Sequence, residues 1–100
     1  MERLYATCRE IAEIEEKLYM GQIDFEYGKC MSAMKPGHPA EILDEILAII
    51  GWDVYAKKVP ALDKVKETID GLKTYQQTFS VDISKQITAL EQYVSEKEGS

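Results

Sequence analysis

Carboxylates are the side chains of this chain whose type and spacing could support chemistry. Glu10, Glu13 and Glu16 recur every three residues in one amphipathic segment, and Glu41 and Asp44 repeat that spacing in another. Residues three apart are neighbours on a helix surface. Two such pairs facing each other across a bundle, Glu13 and Glu16 on one side with Glu41 and Asp44 on the other, would form an all-oxygen donor set suited to Mg²⁺, a hard cation that keeps several of its waters. The same acids also read as solvated faces and as favourable helix starts, where negative charge meets the positive end of the dipole. That second reading leads, so no catalytic residue and no cofactor is assigned.

The acidic pattern resembles the paired motifs of the MazG-like all-α nucleoside triphosphate pyrophosphohydrolases, in which one helix carries EExxE and a later one ExxD. Glu41-Ile42-Leu43-Asp44 matches the second motif, and Glu13-Ile14-Glu15-Glu16 approximates the first. Lys17, Leu18 and Tyr19 follow the adjacent Glu15-Glu16 pair, so the third acid of the first motif is missing. The resemblance implies magnesium-dependent cleavage between the α and β phosphates of a nucleotide, with Glu13, Glu16, Glu41 and Asp44 as ligands. This is kept as the alternative function.

The remaining chemically competent residues point elsewhere. His38 is the only histidine and sits in Pro36-Gly37-His38-Pro39 with no second ligand beside it, so it reads as a turn or N-cap residue rather than part of a zinc site or triad. Cys8 lies on an apolar stripe and reads as a buried small hydrophobe. Cys8 and Cys30 are too few and too scattered for the disulfide framework of a small secreted domain. Trp52 has two roles open to it: packing at a helix junction, which its bulk favours, or an exposed aromatic anchor of the kind enriched at interface hot spots.

The elements that must position these residues are helical. Leu4, Cys8, Ile11, Ile14 and Leu18 fall at spacings of three and four with charge between them, which predicts a first helix. Ile23, Tyr27, Cys30, Met31 and Met34 continue the spacing with a rotated phase beyond Gly21, so residues 1–35 read as a kinked helix or helical hairpin. Two prolines and a glycine in Lys35-Pro36-Gly37-His38-Pro39 mark a loop, and a middle helix is predicted over 39–58 from Leu43, Ile46, Leu47, Ile50 and Val54. In the last forty residues, Leu62, Ile69, Gln76, Ile83 and Leu90 alternate with Val65, Leu72, Phe79, Gln86 and Tyr93 in an unbroken heptad ladder. It predicts one long coiled-coil-like helix over 60–97, with Gln76 and Gln86 as polar register-setting positions and the whole ladder as an interface.

The chain has 100 residues, 12 Lys plus Arg against 18 Asp plus Glu, a net charge of −6 and 45% hydrophobic residues. These numbers fit one small domain, 1–100, all-α with three or four helices. The acidic balance, spread along the chain, disfavours direct nucleic-acid binding, which needs clustered cations. The longest apolar run, Ile46 to Ile50, is far too short to cross a bilayer, and the mixed charge on the C-terminal segment disfavours a membrane surface. The charged first residues lack the apolar stretch of a secretion signal, so a cytoplasmic location is expected. The sequence thus reads as a small acidic, non-enzymatic protein-protein interaction or regulatory module, self-associating as a homodimer through its C-terminal helix.

Overall fold

The computed structural model describes residues 2–23 and 38–99, and within them the chain forms four helices: α1 (Glu2–Tyr19), α2 (Pro39–Tyr55), α3 (Leu62–Phe79) and α4 (Ser84–Glu98). The expected second apolar stripe through Tyr27, Cys30, Met31 and Met34, and with it the kink or hairpin of 1–35, lies outside the described residues. The helix neighbours form a ring, α1 on α2, α2 on α3, α3 on α4 and α4 on α1. Directions alternate around the ring: Tyr5 meets Tyr55 and Tyr19 meets His38 across α1 and α2, Lys64 reaches Asp53 across α2 and α3, and Lys73 and Lys66 reach Glu91 and Glu98 across α3 and α4. The protein is an antiparallel four-helix bundle.

Local chemistry explains where the helices begin and end. Pro39 occupies the first turn of α2, where its missing N–H costs nothing, and the Nδ1 of His38 accepts the Ala40 N–H at 3.1 Å as the N-cap. α2 ends sooner than 58, because Lys57 turns left-handed at φ 61° and the Lys58 N–H closes back on the Asp53 carbonyl at 2.8 Å. One apolar face of each helix fills the centre, from Leu4, Cys8, Ile11 and Leu18 on α1 to Ile87, Leu90, Tyr93 and Val94 on α4. α3 comes close to α2 at Gly71, where an added Cβ would sit 3.1 Å from Ile46.

The single helix expected over 60–97 is two helices. Ser80 adopts a left-handed conformation at φ 56° and ends α3. The Gln76 side-chain oxygen then accepts the Ile83 N–H at 2.9 Å and the Ser84 hydroxyl at 3.1 Å, while the Asp82 carboxylate accepts the Ser84 N–H. Gln76 therefore secures the corner rather than setting the register of a coiled coil. A straight helix over that range would reach roughly 55 Å at 1.5 Å per residue, against a longest molecular extent of 39 Å. The heptad spacing survives the turn because it records only which residues must be inside, and a hairpin meets that demand as well as a rod does. Val65, Ile69, Leu72, Phe79, Ile83, Gln86, Leu90 and Tyr93 are all buried within their own chain, with Leu62 half-buried against the same core. The ladder is the inner wall of the bundle and offers no free seam.

Among the described residues, no helix is long and apolar enough to cross a membrane.

Candidate functional site

The outward face of α2 carries the most distinctive surface chemistry of the described residues. At about 100° per residue, Glu41, Asp44, Glu45, Ala48, Trp52 and Tyr55 fall within one outward stripe, opposite the buried Leu43, Leu47, Ile50 and Val54. Trp52 is 81% exposed, so it does not pack at a helix junction. Tyr55, Val59 and, from α1, Tyr5 are also exposed. Tyr5 and Tyr55 meet edge to face with ring centroids 5.6 Å apart, and with Glu2, Val54 and Lys57 they line a shallow groove of about 500 Å³. Large apolar side chains grouped in this way mark contact surfaces, because a monomer alone gains nothing from exposing them.

Charge is sorted from one end of α2 to the other. Glu41, Asp44 and Glu45 are exposed over the first turns of α2, Ala48 and Trp52 occupy its middle, and Lys57 and Lys58 are exposed just past its end. No basic residue lies between Pro39 and Ala56. On α1, α3 and α4 acids and bases are interspersed instead.

The carboxylates singled out by spacing are only partly brought together. Glu41 and Asp44 share the exposed start of α2, but the α1 carboxyl that meets Asp44 is Glu15, not Glu13 or Glu16. Burial, followed by the charge of Asp44 and a hydrogen bond with it, pushes the Glu15 carboxyl up to about 7. Burial and a neighbouring negative charge both disfavour an ionised carboxylate, so Glu15 holds its proton more tightly than an exposed glutamate does. Tyr19, one turn further along α1, stacks on His38 at 5.3 Å, and its phenol is raised by desolvation and by Glu41, Glu15 and Asp44. Tyr19 thus occupies the place where the MazG-like motif has its third acid. Glu13 and Glu16 instead line a separate shallow groove with Tyr5, Arg9, Ala12 and Tyr55. Among the described residues, no three His, Cys, Asp or Glu side chains form a group able to hold a metal ion, so the set Glu13, Glu16, Glu41 and Asp44 is not assembled.

The other candidates serve the core. Cys8 is buried and its thiol is pushed up to about 11 by desolvation, the opposite of an activated nucleophile. Tyr75, which the heptad pattern did not single out, is fully buried and donates its hydroxyl to the Pro39 carbonyl at 2.9 Å. Its phenol is raised by burial and by Glu15. Reading α2 as a wheel finds Trp52 from sequence: it lies two residues, about 200°, from both Ile50 and Val54 and in line with Glu41 and Glu45.

No protein-family model matches the chain, and neither a curated protein nor a solved structure is significantly similar to it.

Proposed function

We propose that the protein is a small acidic, non-enzymatic protein-protein interaction module whose contact surface is the outer face of α2. The observation that carries this reading is Trp52, held 81% exposed on a regular helix one turn before Tyr55, which in turn meets Tyr5. A covered indole removes roughly 200 Å² from water, about 5 kcal/mol at ~25 cal/mol per Å² before the costs of association. No other exposed side chain of the described residues offers a partner as much. Self-association through the Leu62 to Tyr93 ladder would require the bundle to open, since those side chains fill its interior. The contact surface therefore moves from the C-terminal helices to α2.

The test is site-specific photocrosslinking in the cell that makes the protein, with a benzophenone amino acid at position 52 and, as control, at Thr88 on the exposed side of α4. Covalent protein adducts at 52 and none at 88 are expected. Equal labelling at both positions, or none at 52, removes the proposal.

A further inference from the structure

The outer face of α2 is complementary to itself. The acids on its outward stripe, Glu41, Asp44 and Glu45, lie toward one end and Lys57 and Lys58 lie beyond the other, while Asp53 sits off that stripe and pairs with Lys64 of α3. The midpoint between the two charge groups falls near residue 50, and so does the midpoint of Ala48 and Trp52. A two-fold axis through that point places Ala48 of one copy opposite Trp52 of the other, a small side chain against a large one. It also brings Lys57 and Lys58 of each copy alongside Glu41, Asp44 and Glu45 of its mate. Isologous pairing of this kind is the commonest way a soluble chain associates with itself.

The helix dipole alone accounts for acids at the start of α2 and bases past its end, but not for a bare indole midway between them. Parallel docking would set acid against acid at one end and lysine against lysine at the other. Only the antiparallel arrangement satisfies both ends and covers both indoles. From Glu41 to Lys57 the stripe runs roughly 24 Å at 1.5 Å per residue, one helix wide, which puts the contact at the small end of specific interfaces.

We infer that the occupant of this surface is a second copy of the chain, docked antiparallel along α2 with Trp52 and Ala48 at its centre. The inference rests on the interaction reading above and names its partner.

Sedimentation of the full chain between 5 and 500 μM, with Trp52 emission followed in parallel, tests it. A monomer-dimer equilibrium is expected, with emission shifting to the blue as dimer forms and the association weakening as salt is raised. W52A, K57E/K58E and E41K/E45K should each weaken association at least tenfold while circular dichroism stays unchanged. Mixing the two charge variants should restore a dimer, because one then presents acid at both ends and the other lysine. A monomer at 500 μM overturns the inference, as does a dimer indifferent to these substitutions. So does a blue shift on vesicles containing phosphatidylserine from a chain that stays monomeric. If position 52 crosslinks in the cell to proteins other than this chain while the purified chain stays monomeric, the self-pairing fails and the interaction reading stands. If neither occurs, both fail.

Discussion

The carboxamide oxygen of Gln76 accepts the backbone N–H of Ile83 at 2.9 Å, across the corner where α3 gives way to α4. The same oxygen holds the Ser84 hydroxyl, so a single side chain supplies the acceptor for two donors at the start of α4. Replacing it with Leu deletes both bonds in a half-buried place. Gln76→Leu should lower stability by about 1–2 kcal/mol, a fall of roughly 4–8 °C in melting temperature per kcal/mol for a domain of this size. Thermal unfolding followed by circular dichroism reads this directly, and Gln76→Glu, which keeps the acceptor, should recover most of the loss.

Glu15 and Asp44 predict a pH dependence with a definite sign. The Glu15 carboxyl moves from an ordinary 4.5 to about 7 on folding, so the folded chain holds that proton more tightly than the unfolded one. The stability this contributes is complete below about pH 4.5 and is lost as pH rises through about 7. Glu15 interacts with Asp44 and Tyr55 from α2, Tyr19 from its own helix and Tyr75 from α3. Glu15→Gln keeps a hydrogen-bond donor toward Asp44 but cannot ionise. The variant should gain on the parent between pH 5 and pH 8 by on the order of 1 kcal/mol after solvent screening, as seen in the difference between their urea unfolding curves. Identical pH profiles would contradict the raised Glu15 carboxyl.

Tyr75→Phe isolates the hydroxyl that joins α3 to the first turn of α2. The ring and its 4.9 Å contact with Phe79 remain, and the Pro39 carbonyl loses its side-chain partner. A cost of about 1 kcal/mol is expected. Because α2 carries the contact surface, hydrogen exchange at its first turn should quicken in this variant more than at the α3–α4 corner.

Trp52→Ala and Leu72→Ala separate surface from core. Trp52 is exposed and Leu72 fully buried, so the tryptophan variant should stay within about 0.5 kcal/mol of the parent while the leucine variant loses about 2–5 kcal/mol. Urea unfolding of dilute protein, where no self-association contributes, makes the comparison. A large loss from Trp52→Ala would place the indole in the core.

Spacing in the sequence made the inward faces legible. Leu4, Cys8, Ile11, Leu43, Ile50, Val65, Leu72 and Leu90 are all where periodicity put them, Pro39 opens α2 and His38 caps it. The break at Ser80 was outweighed because Phe79 and Ile83 are four apart, a helical interval that a tight corner preserves; the left-handed Ser80 and the hydrogen bonds of Gln76, Asp82 and Ser84 make the turn. The pairing of Glu15 with Asp44 was hidden for a related reason. Three-residue spacing chose Glu13 and Glu16 as partners, whereas the rotation of α1 against α2 is set by core packing and turns Glu15 inward. Trp52 was misjudged because bulk suggests burial, though its angular position on α2 does not.

The ring of helices has a consequence for the path of the backbone. Arg3 near the start of α1 reaches Glu96 near the end of α4 at 2.7 Å, so the described chain returns almost to where it set out and encloses its core as a nearly closed circuit. Such a circuit has no obligatory first helix: a few flexible residues joining the end of α4 to α1, with the chain reopened at the exposed Lys57–Lys58 bend, would give the same bundle in the order α3, α4, α1, α2. The order in which the helices are made is thus separable from the way they pack.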